Sequence, residues 1–521
     1  MNRGNIMRVL ALLIALCMAI GCTASGSTAA TEAAQTAEAT AEATMATDNA
    51  AIEDADTASG STVDQVAAES PTEGAPADNG GTPPDMPDGQ GGTPPDGMGE
   101  PPSGGFGGTT GSGGSTSSFE YTAAAEITSA DTQADQTYES TTADESALII
   151  STSDAVTITN PTVTKTGDSN GGDNCNFYGL NAAVLAKDGA SVTITGGTVN
   201  SSASGANGVF SYGGNGGSNG AAGDGTTVTI SDTVITTTGS GSGGIMTTGG
   251  GIMYANDLTV TTSGGSSAPI RTDRGGGWVY VDGGTYISNG LGSPAIYSTA
   301  EIHVSNATLV SNLSEGVCIE GKNSIELTDC DLTANNTQCN GNATFLDTIM
   351  IYQSMSGDAD SGTSAFTMTG GTLTSKNGHV FHVTNTNAII TLNGVTIINE
   401  DSENILLSVC ADGWSGGSNI AALNAIRQAL SGTILVGSDS TLTLSLSDGS
   451  TFTGMISGEI TNAKGTTVST AVGTVNVTLD STSTWTLTGD TYISSFTGEA
   501  ANVISNGYTL YVNGVALTGT K

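Results

Sequence analysis

The chain has 521 residues, with 50 Asp plus Glu against 11 Lys plus Arg, a formal net charge of −39, 75 glycines and 5% aromatics. That balance leaves no basic surface on which a phosphate backbone could condense, which excludes nucleic acid as a partner. Hydrophobic content of 36%, concentrated in periodic strands, argues against disorder for the C-terminal four fifths, and the acidic surface suits solubility or divalent cations.

At the N-terminus Arg3 and Arg8 precede the apolar run Val9 to Leu16, and Ala19-Ile20-Gly21-Cys22 follows it. This order predicts export, with residues 1–22 as a lipoprotein signal peptide cleaved before Cys22 and lipid attached to the Cys22 thiol. Ala19 stands where Leu is commonest in that pattern, and ordinary signal cleavage between Gly21 and Ala24 is the alternative. The expected location is extracellular, held at the membrane by the lipid anchor alone, because no later segment is apolar enough to cross a bilayer. Residues 23–118 are an Ala/Thr/Ser/Glu tract followed by a Pro/Gly run. Neither buries enough apolar surface to offset chain entropy, so a disordered tether is expected.

Residues 119–146 are expected to form an N-terminal cap, and coils are expected over 147–430. Within those coils one phrase recurs: VTITNPTV at Val156, VTITGGTV at Val192, VTISDTVI at Val228, VYVDGGTY at Val279, IHVSNATL at Ile302, FTMTGGTL at Phe366 and ITLNGVTI at Ile390, with looser copies at Ile252 and Ile325. The starts lie 36, 36, 24, 27, 23, 23, 41 and 24 residues apart. A period of about two dozen residues marks stacked units that cannot bury their apolar faces alone. Apolar residues alternate with Thr, Ser or Asn and end at a Gly, Asp or Asn pair, which is the pattern of a strand and its turn. A second strand recurs as AVLAK at Ala183, GVFSY at Gly208, GIMTT at Gly244, PIRTD at Pro269, AIYST at Ala295, GVCIE at Gly316 and TIMIY at Thr348. The long intervals place insertions at Gly167 to Gly179, Gly213 to Gly225 and Ala334 to Thr363, where a solenoid projects its loops. Asn419 to Leu430 has helix-forming composition, but its strand neighbours favour strand. Residues 431–521 keep the alternation with shorter turns and are expected to be terminal coils and a C-cap.

Short strands with Gly, Asn or Asp corners and no helical spacer predict an all-β chain folded as a parallel β-helix solenoid of roughly a dozen coils. The phrase VTITGGTV, the corner at Pro269 to Gly276 and the closing STWTLTGDTYISSFTG at Ser483 to Gly498 resemble right-handed parallel β-helix surface proteins of bacteria, whose members are pectate-lyase-like and adhesin-like. The PPDG-rich stretch is similar to the tethers of surface carbohydrate-binding β-helix lipoproteins. The resemblance covers roughly residues 119–521 and speaks to fold rather than activity, since the fold hosts lyases, hydrolases, sugar binders and adhesins alike.

Stacking the second strands by their Gly corners sorts their side chains into columns. Val184, Val209, Ile245, Ile270, Ile296, Val317 and Ile349 are expected to face inward. Leu185, Phe210, Met246, Arg271, Tyr297, Cys318 and Met350 are expected to face outward, followed two residues on by Lys187, Tyr212, Thr248, Asp273, Thr299, Glu320 and Tyr352. Scarce aromatics, scarce arginines and carboxylates thus meet on one track. Phe210, Tyr212, Arg271, Asp273, Tyr297, Glu320 and Tyr352 are the expected ligand-binding residues, with polysaccharide or a host glycan as the partner. The alternative for Arg271 and Asp273 is that they neutralise each other across a corner.

Two other functions compete. A Ca²⁺-dependent lyase would use Arg271 or Arg274 as base with Asp273 and Glu320 as acidic ligands, fewer carboxylates than such a site needs. A glycosidase would need carboxylates about 5 to 9 Å apart, whereas Asp273 and Glu320 fall one intervening coil apart, roughly 10 Å. An adhesin-like spacer would need only the rod. Calcium is a possible cofactor: Asp358-Ala-Asp360-Ser-Gly362 resembles half of a Ca²⁺ loop but lacks the closing Glu, which favours a solvated loop. His303, His379 and His382 are expected to be ordinary strand residues. Cys175, Cys318, Cys330, Cys339 and Cys410 are expected to be small apolar ladder residues, with one disulfide among Cys318, Cys330 and Cys339 as the alternative.

Overall fold

The computed structural model describes residues 120–215 and 222–521; the signal peptide, Cys22 and the tether lie outside the described residues. Three parallel sheets run along the molecule, and each takes one strand from every coil. Sheet A has 13 strands, from Thr122–Ile127 to Ile456–Ser457, and sheet B has 14, from Asp131–Ala134 to Ser495–Thr497. Sheet C has 10, from Thr137–Ser140 to Thr396–Asn399, and a four-stranded sheet beginning at Ala429–Ser431 succeeds it. As far as Ser440–Ser447, strands that neighbour one another in these three sheets are three apart in sequence, which is the topology of a parallel β-helix. Among the described residues the only antiparallel pairings are Glu459–Thr461 with Thr467–Thr470 and Leu510–Val512 with Val515–Ala516.

The alternation in the sequence explains the packing. Along each phrase every second residue points inward, so Val156, Val192, Val228, Met253, Val279, Ile302, Ile325, Phe366 and Ile390 stack as one buried column of sheet B. The loose copy expected to start at Ile252 therefore starts at Met253. Gly251 enters that strand one residue early, leaving Ile252 outward and Met253 and Ala255 in the core. The inward column of sheet A pairs as expected from Val184 through Ile349. Residues 122–140, expected as a cap, supply the first strand of each sheet. Asn419–Ile426 is a strand, because its Ala and Leu side chains fill the inward column between Ile390 and Leu444. All five cysteines of the described residues are free.

One corner recurs in coil after coil. From Ala155–Thr159 to Ser440–Ser447, the residue that ends each sheet B strand is followed by a positive φ, at Asn160, Gly196, Asp232, Asp257, Gly283, Asn306, Asp329, Gly370, Gly394, Arg427 and Asp448. Left-handed backbone is cheap for Gly and tolerable for Asn and Asp, whose side chains bond locally. That requirement is the physical origin of the Gly, Asn and Asp in the repeated phrase. At the corner between sheets C and A, serines tie successive coils together: Ala206 N–H donates to Ser242 Oγ at 2.9 Å, Ser242 N–H to Ser267 Oγ at 2.9 Å and Ser267 N–H to Ser293 Oγ at 2.8 Å.

Arg427 is the exception in the left-handed column, at φ 49°. Its guanidinium reaches Asn393 and Asp448, and contacts that exposed are worth little. Replacing Arg427 by Asn is expected to stabilise the chain by about 1 kcal/mol, read as a higher midpoint in thermal or urea unfolding. A lower midpoint would show that those contacts outweigh the backbone strain.

Candidate functional site

The register brings the seven residues expected at the site to one face of sheet A. Arg271 lies between Met246 and Tyr297, Cys318 follows Tyr297, and Glu320 pairs with Tyr352. The face they share is covered. Phe210, Arg271, Asp273, Tyr297, Glu320 and Tyr352 are buried, and Tyr212 is half-buried against Tyr178. The first insertion folds back over it through the short helix Asp173–Phe177. Thr248 Oγ1 donates to the Phe177 carbonyl at 2.7 Å, and Arg271 donates to Asn176 Oδ1 at 3.2 Å. Farther along, Trp414 packs on Tyr352 with ring centroids 4.9 Å apart.

The charges on this face are spent on one another. Asp273 accepts from the Arg271 guanidinium at 2.9 Å and from the Arg274 backbone N–H at 3.0 Å. Arg274 lies 4.2 Å from the centre of the Phe177 ring and donates to Asp358 at 2.6 Å. Glu320 Oε2 accepts from the Tyr297 hydroxyl at 2.6 Å and the Tyr352 hydroxyl at 3.0 Å, while Oε1 accepts from Ser354 and Ser356. Losing one member of such a buried ionic set costs about 3–5 kcal/mol, so the set works as a clasp that fastens the insertions onto the rod. The would-be Ca²⁺ loop joins it: Asp358 holds Arg274, and Asp360 holds Lys322 at 2.9 Å. Among the described residues no group of three or more His, Cys, Asp or Glu is arranged to hold a metal ion.

An open face lies on sheet B. The second residue of the repeated phrase points outward, and its column reads Thr157, Thr193, Thr229, Tyr254, Tyr280, His303, Glu326, Thr367, Thr391, Asn424 and Thr443. Thr or Asn is the rule, and four consecutive coils depart from it. The Tyr254 and Tyr280 rings stack 5.2 Å apart at 14°, and Tyr280 and His303 stack 5.2 Å apart at 10°. His303 is held upright by two carboxylates, with Nε2 2.7 Å from Glu301 and Nδ1 3.1 Å from Glu326. Beside this column runs a polar one, Asn256, Asp282, Ser305 and Thr328. Between the two lies a groove of about 330 Å³ along the rod. Tyr254 is 42% exposed.

Sequence reasoning found the covered track and missed this groove, placing neither tyrosine there and taking His303 as an ordinary strand residue. The signal was present: aligning the phrases shows Tyr, Tyr, His and Glu where the other coils carry Thr or Asn.

The clasp has a consequence for pH. Burial raises the Asp273 carboxyl to about 7, with the Arg271 guanidinium pulling the other way. Burial likewise raises Glu315, Glu320 and Asp347. Unfolded carboxyls titrate near pH 4, so between about pH 4 and 7 these carboxyls bind more protons in the folded chain and their contribution to stability falls as pH rises. His379, pushed from 6.5 down to about 3 by burial and the neighbouring His382, acts the opposite way below about pH 6.5. Asp412 and Asp188, held low, act only below that window. The thermal unfolding midpoint is expected to fall between about pH 6.5 and 7.5, above the range in which His379 opposes the carboxyls, with Asp273→Asn shrinking the fall. A midpoint that climbs with pH across this window would contradict the assignment.

Comparison with protein-family models, with curated proteins and with solved structures finds no match to this chain.

Proposed function

We propose that this chain is an exported, lipid-tethered β-helix that binds an extended, uncharged glycan along the sheet B groove and does not cleave it. The observation that carries this reading is the switch from Thr to Tyr, Tyr, His and Glu in four consecutive coils of an otherwise uniform column. Nothing in coil packing calls for aromatic residues there, because the same position carries Thr on either side and points away from the core. Coils repeat at about 4.8 Å, so the groove offers the same pair of walls again and again to a ligand that is itself a repeat. Aromatic edges give apolar surface to the C–H faces of sugar rings, and Asn256, Asp282, Ser305 and Thr328 give partners to their hydroxyls. Asp282, Glu301 and Glu326 beside the groove, on a chain of net charge −39, repel a polyuronate and favour a neutral chain. The signal read at residues 1–22 and the tether after it support display outside the cell. The buried residues from Phe210 to Tyr352 serve by stiffening the rod.

The test exploits the rod's own default residue. Tyr254→Thr, Tyr280→Thr and His303→Thr restore what neighbouring coils carry, so the fold is expected to survive. Binding to a panel of insoluble neutral polysaccharides is expected to weaken about tenfold or more for the Tyr280 change and to vanish in the triple variant. Undiminished binding by the triple variant, or tighter binding to polyuronates than to neutral glycans, would sink the reading.

A further inference from the structure

A second hollow, of about 700 Å³, opens on another part of the surface. Its walls come from Leu346, the Gly378-His379 corner, residues 401–405 and the hairpin Glu459–Thr461 with Thr467–Thr470. Phe345, Ile405, Leu435 and Ile460 pack together as its apolar floor. Asp401, Glu403 and Glu459 line it, and among the described residues no Lys or Arg does.

At one side sits His379, 7% exposed, at the end of a chain of buried polar groups. Its Nδ1 lies 2.7 Å from Ser408 Oγ, and Ser408 Oγ lies 2.7 Å from His382 Nδ1. His382 Nε2 faces Asp412 Oδ2 at 3.4 Å, an electrostatic contact longer than a hydrogen bond. The other oxygen of Asp412 accepts from the Thr344 N–H and hydroxyl and the Gly413 N–H. Although burial pushes Asp412 up, its contact with His382 and the bonds from Thr344 and Gly413 hold it below the usual carboxylate range.

His382 Nε2 and Asp412 Oδ2 make no hydrogen bond, but of the two neutral tautomers the one that sets an N–H rather than a lone pair against the carboxylate is favoured electrostatically, which leaves His382 Nδ1 as an acceptor. Ser408 then donates to His382 and accepts from His379 Nδ1–H. The consequence is that His379 Nε2 carries a lone pair. It bonds no protein group among the described residues. Burial and the neighbouring His382 push His379 down to about 3, so the ring is neutral.

We propose that this cleft binds a small organic ammonium: its apolar body rests on the Phe345, Ile405, Leu435 and Ile460 floor, one N–H donates to His379 Nε2, and Glu403, Glu459 and Asp401 balance its charge. The site lies apart from the sheet B groove and goes beyond glycan binding.

Three isosteres that differ in charge test it by calorimetry on the full chain: benzylamine, benzyl alcohol and benzoate. Benzylamine is expected to bind about tenfold or more tightly than benzyl alcohol, with benzoate showing no binding. His379→Phe should weaken benzylamine about tenfold and benzyl alcohol less, since a neutral hydroxyl donates the weaker bond, and Ser408→Ala, which cuts the chain behind His379, should weaken benzylamine as well. Glu403→Gln with Glu459→Gln alters only exposed side chains and gives the same readout should a buried substitution fail to fold. Equal binding of the three compounds, no binding of benzylamine, or variants that bind it like wild type would overturn the proposal. Glycan binding is expected to persist in all of these variants, which separates this failure from failure of the groove.

Discussion

The parallel main-chain hydrogen bonds between successive coils are the constraint on which the rest of this structure depends. They allow no slip, because a shift of one residue would turn every inward Val, Ile and Leu of a strand toward solvent. Once register is locked, a position in the phrase becomes a line along the rod, and any side chain placed there acquires neighbours about 4.8 Å away. The left-handed corner after the sheet B strands repeats that lock along the rod. Columns of like residues, such as the threonines of sheet B and the serines at 242, 267 and 293, follow from it.

Two faces use the same geometry in opposite ways. On sheet A, charged and aromatic residues meet under the insertions, and burial makes their mutual satisfaction obligatory: Arg271 with Asp273, Arg274 with Asp358, Glu320 with Tyr297 and Tyr352. On sheet B, no insertion among the described residues crosses the Tyr254 to Glu326 column, and the rings stack with one edge toward solvent. Exposure, rather than residue type, separates a clasp from a binding surface. An aromatic, an arginine and a carboxylate in register describe both equally well before their cover is known.

The solenoid was legible because its determinants are local. Alternation at Val156 to Ile158 or Val279 to Val281 gives the strands, and Gly, Asn or Asp gives the corners. Even the pairing of Arg271 with Tyr297 could be read by aligning the second strands. What could not be read was the path of the insertions, since the contacts of Asn176, Phe177 and Trp414 with the rod are made by segments without period. The same limit hid the chain from Asp412 to His379, whose members lie on two strands and a loop and meet only because 410–418 folds back. The aromatic column was hidden for a different reason. It is periodic, but it appears only when the outward position of each phrase is tracked coil by coil, and the looser copy at Met253 sits one residue away from its apparent start.

Disulfide trapping tests the register most directly. In a chain carrying Tyr280→Cys and His303→Cys, the two side chains stand on one face of adjacent coils, within the span a disulfide bridges, and mild oxidation is expected to link them rapidly. Pairing Tyr280→Cys with Val304→Cys places the second thiol on the inward side, and no link is expected. Efficient crosslinking of 280 to 304, with none between 280 and 303, would contradict the alignment from which the columns and the groove are built.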